Sequence, residues 1–238
     1  MLQDKVAVVT GATGALGQAA AKRFLEEGAK VIAMYRSEER FEELKSFVGN
    51  LGNDLMGVKG DVTDETSVSE IFRKTVDEYG RVDILINLVG GYSGGNSVAD
   101  MDVETWDRMM NLNLKSAFLC SKAALFYMIE QNYGKIVNVS ARTAVRKGSR
   151  AKNSAYAIAK LGVLALTETM AEEVRRQDIN VNCILPSTID TPANRRDFPK
   201  ADFSRWVSPG DITEVILFLV SDASKATSGA AIPVFGKA

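Results

Sequence analysis

The sequence predicts a doubly wound α/β domain, in which a mostly parallel sheet of seven strands carries helices on both faces. Short runs rich in valine and isoleucine alternate with longer helical patterns, which is the order of repeated β-α-β units. Several of these runs are apolar at successive positions rather than alternate ones, as is typical of strands buried on both faces. Because no repeat or linker divides the 238 residues, we expect a single domain over 1–238.

The predicted elements follow one another in a regular order. The strands share short apolar and β-branched runs, at 6–10, 30–35, 55–62, 82–90, 134–141, 179–186 and 230–236. The helices share longer helical patterns, at 14–27, 37–48, 65–79, 103–129, 153–177 and 211–221. The first helix ends at Gly28, which suits a C-terminal cap. The segment 187–210 contains three prolines and is predicted to be a loop.

Composition excludes several classes of function. The chain is 46% hydrophobic and 25% charged, and its net charge of −1 gives no argument for binding nucleic acid or an anionic membrane. It contains no histidine, which removes the usual metal ligand and general base, so a Ser-His-Asp hydrolase is excluded and no metal site is expected. Cys120 and Cys183 lie in apolar runs without metal-site spacing, and we expect buried free thiols.

The chain shows no targeting or membrane segment. Its first residues lack a basic stretch followed by an apolar one, so no signal peptide is predicted. The apolar run 215–220 is too short to span a bilayer. We expect a cytoplasmic location.

A glycine-rich turn follows the first strand directly. The run TGATGALG (10–17) connects that strand to a helix, and such a turn lets phosphates approach the backbone N–H groups of a helix N-terminus. A tight turn without a ligand is the alternative, and the β-α-β context favours a dinucleotide site. The expected contacts in this turn are Gly11, Thr13, Gly14, Ala15, Leu16 and Gly17.

The end of the second strand bears on the choice between NADP and NAD. A carboxylate there would bind the ribose 2′-hydroxyl of NAD, whereas this chain has Tyr35 and Arg36 and no acid. Arg36 suits the 2′-phosphate, so NADP is preferred over NAD, and a solvated arginine is the alternative. Asp61, which precedes Val62 at the end of the third strand, is expected to meet the adenine amino group or to cap the helix near residue 65.

Tyr156 and Lys160 are spaced to lie on one face of a helix. A tyrosine with a pKa near 10 becomes useful in proton transfer near neutral pH when a cation stabilises its phenolate. Lys160 supplies that cation and is placed to bond the nicotinamide ribose. Both are therefore candidate catalytic and cofactor-binding residues.

Together these motifs resemble the short-chain dehydrogenase/reductase family over the whole chain. The matching runs are TGATGALG (10–17), DVTD (61–64), NLVGG (87–91), NLNLKSAF (111–118), YAIAK (156–160) and LPSTIDTP (185–192). The resemblance implies a Rossmann fold, a small-molecule substrate and a homo-oligomer (dimer or tetramer) formed through the helices 103–129 and 153–177. It implies that Asn113 holds a water molecule that links Lys160 to solvent. The further cofactor contacts that it implies are Val62, Asn87, Val89, Gly90, Pro186, Ser187, Ile189 and Thr191.

The chain departs from the family at the position of the substrate-binding serine. An alignment of the fifth strand without gaps puts Ala141 there, with Ser140 one residue early. Because side chains alternate along a strand, that offset turns the Ser140 hydroxyl to the other face. Thr143 is the main alternative hydroxyl, followed by Ser149 and Ser154. Further departures are Leu88-Val89 and Pro186-Ser187, where the family has Asn-Ala and Pro-Gly.

A narrower resemblance, to the quinonoid dihydropteridine reductases, accounts for that alanine. It is carried by GGYSGGN (90–96), SARTA (140–144), LPSTIDTPANR (185–195) and ADFSRW (201–206). It implies hydride transfer to a conjugated acceptor, which needs less support for a developing oxyanion than a simple ketone does. The segment 187–210 is expected to cover the substrate. The expected substrate contacts are Ala141, Tyr92 and Trp206.

The sequence therefore predicts an NAD(P)H-dependent oxidoreductase that transfers a hydride to a carbonyl or quinonoid small molecule, with Tyr156 as proton donor. A quinonoid dihydropteridine reductase is one alternative. Because the serine is missing, a catalytically silent nucleotide-binding sensor or scaffold is another.

Overall fold

The computed structural model describes residues 1–146 and 150–237. Seven strands form one sheet, and they are β1 (Val6–Thr10), β2 (Lys30–Tyr35), β3 (Leu55–Lys59), β4 (Ile84–Asn87), β5 (Tyr133–Val139), β6 (Asp178–Pro186) and β7 (Ala231–Val234). Their order across the sheet is β3-β2-β1-β4-β5-β6-β7, and every neighbouring pair is parallel. The predicted doubly wound α/β fold is confirmed.

Helices cover both faces of this sheet. They are α1 (Ala15–Glu26), α2 (Glu38–Val48), α3 (Glu65–Tyr79), α4 (Val103–Met110), α5 (Ser116–Glu130), α6 (Arg142–Val145), α7 (Ser154–Glu173), α8 (Pro192–Asp197) and α9 (Pro209–Val220). The predicted bounds of the first three helices agree within one residue. Among the residues described, no helix combines the length and hydropathy needed to cross a bilayer.

The long helix predicted over 103–129 is wrong in one respect. A π-helical turn at Asn111–Lys115 separates α4 from α5. Such turns are rare and occur mostly as single bulges within α-helices, often at functional sites. The turn contains neither glycine nor proline, so no helix-breaking residue marked it in the sequence.

Several other predicted elements are too long, and three of them show why. β4 ends at Asn87 because the N–H groups of Leu88 and Val89 both turn to the Thr10 hydroxyl, at 3.0 and 3.3 Å. β3 ends at Lys59, before Gly60 and the turn that carries Asp61. The helix predicted over 153–177 stops at Glu173 and is followed by a turn.

Both faces of the central strands are buried. All five residues of β1 are at most 2% exposed. Ala7 and Val9 pack into the core beneath α1 and α9, whereas Val6 and Val8 pack into the core beneath α3 and α5. This two-sided burial explains why the strand runs show no polar alternation.

Candidate active site

A cleft of about 430 Å³ opens at the carboxyl ends of the central strands. It lies where the strand order reverses between β1 and β4, the usual ligand position in an open α/β sheet. Of the predicted cofactor residues, those that line it are Gly11, Thr13, Gly14, Tyr35, Arg36, Asp61, Val62, Val89 and Gly90.

The glycine turn gives the cleft a bare backbone wall. Gly11 has a φ of +65°, a conformation that favours glycine. A Cβ at Gly11 would lie 3.3 Å from the backbone of Leu88 and Val89, at the end of β4. Gly17 does not line the cleft, because it packs directly against the Gly11 carbonyl. It therefore provides the close helix–strand approach, and Ala15 and Leu16 begin α1 without lining the cleft.

The far end of the cleft is cationic. Arg36 and Arg40 both line it. Tyr35 stacks on Phe41 with ring centroids 4.5 Å apart, and its hydroxyl donates to Glu38 at 2.8 Å. Arg40 was not predicted from the sequence. Its position four residues after Arg36, in the first turn of α2, was the signal that could have placed it beside Arg36.

Asp61 does not cap α3. Its carboxylate accepts from the Thr63 N–H at 2.8 Å and the Thr63 hydroxyl at 2.7 Å, and these bonds hold its pKa below the usual range. Asp64 is the N-cap and accepts from the Ser67 N–H at 2.7 Å. The capping alternative for Asp61 is wrong, and its role at the adenine stays a prediction.

Lys160 is buried beside the end of β5. Its ammonium donates to the Val139 carbonyl at 2.8 Å, and burial lowers its pKa to about 8. The Ser140 hydroxyl donates to the Lys160 carbonyl at 2.6 Å. Ser140 therefore links the end of β5 to α7, because its hydroxyl is hydrogen-bonded to the helix backbone.

Tyr156 lies one turn before Lys160, under a second tyrosine. The rings of Tyr92 and Tyr156 meet edge to face, with centroids 5.2 Å apart, and the Tyr92 hydroxyl donates to Asn153 at 2.6 Å. Burial raises the pKa of Tyr156 to about 12, so the phenol keeps its proton at neutral pH in this state. The Lys160 ammonium is 6.0 Å from the centre of the Tyr156 ring.

Asn113, in the π-helical turn, holds the backbone after β4. Its amide nitrogen donates to the Gly91 carbonyl at 3.0 Å, and its oxygen accepts from the Gly91 N–H at 3.1 Å. A Cβ at Gly90 would lie 2.9 Å from this oxygen and 3.1 Å from the Lys160 ammonium. Asn113 and Lys160 therefore converge on Gly90.

A chain of buried hydrogen bonds runs beneath these residues. The Asn87 amide donates to Ser121 of α5 at 3.1 Å and to Asn138 of β5 at 2.8 Å. Asn138 donates to Thr167 of α7 at 2.9 Å, and Thr167 donates to the Val163 carbonyl at 2.8 Å. Asn87 therefore links β4 to α5 and β5 beneath the cleft.

Ala141 is 7% exposed and follows β5. The Thr143 hydroxyl is buried and has no hydrogen-bond partner among the residues described. Ser149 lies outside the described residues.

The residues predicted beyond β6 have structural partners of their own. The Ser187 hydroxyl donates to the Phe235 carbonyl at 2.8 Å, and the Thr191 hydroxyl caps α8 by accepting from the Asn194 N–H at 3.1 Å. Pro186 ends β6. None of these three residues, nor Ile189, lines the described cleft.

The segment 187–210 folds back on itself. Ile189 forms a parallel bridge with Val207, and Trp206 packs on Phe203 with ring centroids 4.8 Å apart. Within the described residues the segment carries α8 and a short 3-10 turn at Phe203–Arg205, so it is more ordered than the predicted loop.

Comparison with known proteins decides the family. A family model described as "short chain dehydrogenase" matches residues 5–202. The chain belongs to the short-chain dehydrogenase family. One relative of this short-chain dehydrogenase is a 3-oxoacyl-[acyl-carrier-protein] reductase of Thermotoga maritima, which is 34% identical over 99% of this chain and 98% of that protein. Another is a (2S)-[(R)-hydroxy(phenyl)methyl]succinyl-CoA dehydrogenase subunit of Thauera aromatica, which is 32% identical over 99% of this chain and 96% of that protein.

Solved structures agree with this assignment. An actinorhodin polyketide ketoreductase with NADPH superimposes with a TM-score of 0.90 at 27% identity, covering 98% of this chain and 96% of that one. An NAD⁺-bound xylitol dehydrogenase superimposes with a TM-score of 0.91 at 28% identity, covering 99% of both chains. This short-chain dehydrogenase is an oxidoreductase whose cofactor is NADP or NAD. None of these four proteins is named for a pterin, and the narrower resemblance is not favoured.

Proposed function

We propose that this short-chain dehydrogenase uses NADPH to reduce a carbonyl group of a small molecule, with Tyr156 as the proton donor. The observation that carries the proposal is the convergence of Lys160 and Asn113 on Gly90, at the edge of the cleft and one helical turn from Tyr156. The cleft fits a dinucleotide, because Gly11 and Gly14 line it without side chains and Arg36 and Arg40 line its far end.

Each residue at the reacting end has a distinct role. NADPH, when bound, supplies the hydride for the carbonyl carbon. Tyr156 holds its proton at neutral pH and gives it to the carbonyl oxygen, which leaves a phenolate. Lys160, with a pKa of about 8, is mostly protonated at pH 7 and stabilises that phenolate. Asn113 fixes the Gly90-Gly91 backbone against which Lys160 lies, and the water assigned to Asn113 would return the proton from solvent.

The preference for NADPH rests on two guanidinium groups. Arg36 and Arg40 line the end of the cleft that adjoins β2, where the ribose of the adenosine half would lie. Arginine matches phosphate geometry with paired N–H groups. Asp61 would meet the adenine on the neighbouring wall.

The expected lid and assembly are part of the same proposal. We place the substrate between Tyr92, Ala141 and the segment 187–210, with Trp206 on the lid side. A cytoplasmic homo-oligomer stays a prediction. Phe118 and Phe126 on α5 and Ile158 on α7 are 45%, 70% and 46% exposed, which supports helix faces that pair between subunits. Light scattering on the purified protein measures the oligomeric state.

The test is Tyr156→Phe, assayed by NADPH oxidation across a panel of ketones and quinones. We expect the variant to bind NADPH normally and to lose at least a hundredfold in kcat, because the proton donor is gone. Tyr79→Phe is the matched control, since Tyr79 lies on α3. Unchanged turnover in Tyr156→Phe would refute the mechanism. Cofactor binding with no oxidation of any panel member by the wild type would favour the silent nucleotide-binding alternative.

A further inference from the structure

The segment between Ala141 and Tyr156 is strongly basic, although the whole chain has a net charge of −1. Residues 142–152 contain five arginines and lysines and no acid. The proposed reaction does not use any of these cations. Their concentration in the sequence between Ala141 and Tyr156 therefore needs its own explanation.

Arg142 is the unusual member of this group. It directly follows Ala141 and opens α6. Its side chain is partly buried, yet among the residues described it makes no hydrogen bond and no salt bridge. Burial and the nearby positive charges of Arg146 and Arg205 lower its pKa. A partly buried cation among other cations is unfavourable unless an anion joins it.

Two other arginines of these segments, Arg150 and Arg205, have hydrogen-bond partners. Arg150 donates to the carbonyls of Thr143 and Ala144, so it serves the backbone of α6. Arg205 donates to the Lys237 carbonyl at 3.3 Å and lies close enough to Asp202 to help lower the pKa of that carboxyl. Arg142 has no comparable partner, and its five donors are available.

Two chain segments bring these cations to the substrate side of the site. Ser140, two residues before Arg142, bonds the Lys160 backbone, so α6 begins beside the proton pair. Arg205 precedes Trp206 in the segment 187–210, and the Ile189–Val207 bridge brings the end of this segment back beside the residues that directly follow β6. The phosphate-binding end of the cleft, at Arg36 and Arg40, adjoins β2 on the other side of the sheet centre. The cofactor phosphates therefore do not account for Arg142.

We propose that the carbonyl substrate carries an anionic group, a carboxylate or a phosphate ester, and that Arg142 binds it with support from Arg205 and Arg146. This inference rests on the proposed function, because it names the substrate class of the same site. A guanidinium pairs two N–H groups with the two oxygens of a carboxylate or phosphate. Such an anchor holds the substrate next to Ala141, where no hydroxyl side chain positions the carbonyl.

The test separates binding from turnover. The Tyr156→Phe protein, saturated with NADPH, is titrated with phenylglyoxylate and its methyl ester, and with dihydroxyacetone phosphate and dihydroxyacetone, while NADPH fluorescence is followed. We expect at least one anion to bind about tenfold to a hundredfold more tightly than its neutral partner, the range for a charge-assisted hydrogen bond. The carboxylate and phosphate pairs show which anion the site prefers.

Variants in the same background assign the effect to Arg142. Arg142→Gln should remove about tenfold or more of the anion preference, and Arg142→Lys should keep part of it. Arg176→Gln is the matched control, since it makes the same charge change at an exposed position in the turn after α7, outside the segments proposed to contact the substrate, and should keep the full preference. An unchanged Kd for NADPH shows that each variant is folded.

The possible results are distinct. Equal binding of anions and neutral partners, or a preference that survives Arg142→Gln, overturns the anion site. If the wild type reduces the neutral ketones as well as the anionic ones, the proposed carbonyl reduction stands without the anion site. If anions bind in an Arg142-dependent way and the wild type oxidises NADPH with none of the four compounds, the anion site stands and the proposed carbonyl reduction fails.

Discussion

Gly90→Ala tests the convergence of Asn113 and Lys160 most directly. The added methyl carbon would lie 2.9 Å from the Asn113 oxygen and 3.1 Å from the Lys160 ammonium, both closer than carbon and a polar atom normally approach. The Asn113 oxygen cannot retreat freely, because it accepts from the Gly91 N–H at 3.1 Å. A shift of about 0.5 Å away from the methyl group would stretch that hydrogen bond beyond its useful range.

The expected loss of stability follows from the two hydrogen bonds between Asn113 and Gly91. Loss of the reciprocal Asn113–Gly91 pair costs about 1–3 kcal/mol of unfolding free energy, since each neutral hydrogen bond contributes roughly 0.5–1.5 kcal/mol. For a chain of this size that lowers Tm by about 2–12 °C. Displacement of Lys160 by a few tenths of an ångström should cost about tenfold in kcat/KM, because an error of 1 Å can cost a hundredfold.

The assay combines thermal unfolding with steady-state NADPH oxidation. Gly52→Ala is the matched control, because the nearest atom to its new Cβ is 3.9 Å away, and we expect both readouts to stay at wild-type values. A Gly90→Ala protein with wild-type Tm and wild-type kcat/KM would show that Asn113 and Lys160 are not held against this backbone.

Three further predictions concern the pocket and its charges. Ala141→Ser should fold and raise kcat/KM for simple ketones several-fold by supplying an oxyanion donor; a folded variant without any activity contradicts this. Lys160→Met should be more stable than wild type at pH 7, by up to about 2 kcal/mol, since burial that lowers the lysine pKa to about 8 destabilises the folded state while the lysine is protonated, and loss of its hydrogen bond to the Val139 carbonyl offsets part of the gain. That difference should vanish between pH 8 and 10.5, and calorimetry that finds it independent of pH contradicts the cause. Arg36→Asp should lower the NADPH-to-NADH ratio of kcat/KM by about tenfold or more, and an unchanged ratio would remove Arg36 from the 2′-phosphate site.

The succession of strands and helices along the chain was readable from the sequence, because burial on both sheet faces leaves continuous apolar runs such as that of β1. The placement of Tyr156 and Lys160 on one face of α7 was readable for a similar reason, because their spacing along the helix is a local property. The offset at Ser140 was also readable, because side chains alternate along a strand, and its hydroxyl does bond the α7 backbone.

Other features depend on contacts between distant segments, which no local pattern records. The π-helical turn at Asn111–Lys115 contains no glycine or proline, so no helix-breaking residue marks it in the sequence. β4 ends early because Thr10, on another strand, takes the N–H groups of Leu88 and Val89. The position of Arg142 near Arg205, which is 63 residues further along the chain, is likewise visible only in the folded structure.

The buried chain of hydrogen bonds from Ser121 through Asn87 and Asn138 to Thr167 has a consequence for how new specificities arise. It anchors the framework that carries Tyr156 and Lys160 without using any residue of 141–153 or 187–210. Those two segments are therefore free to diverge, and exchanging them for the corresponding segments of a relative should change the preferred substrate while the proton pair keeps its place.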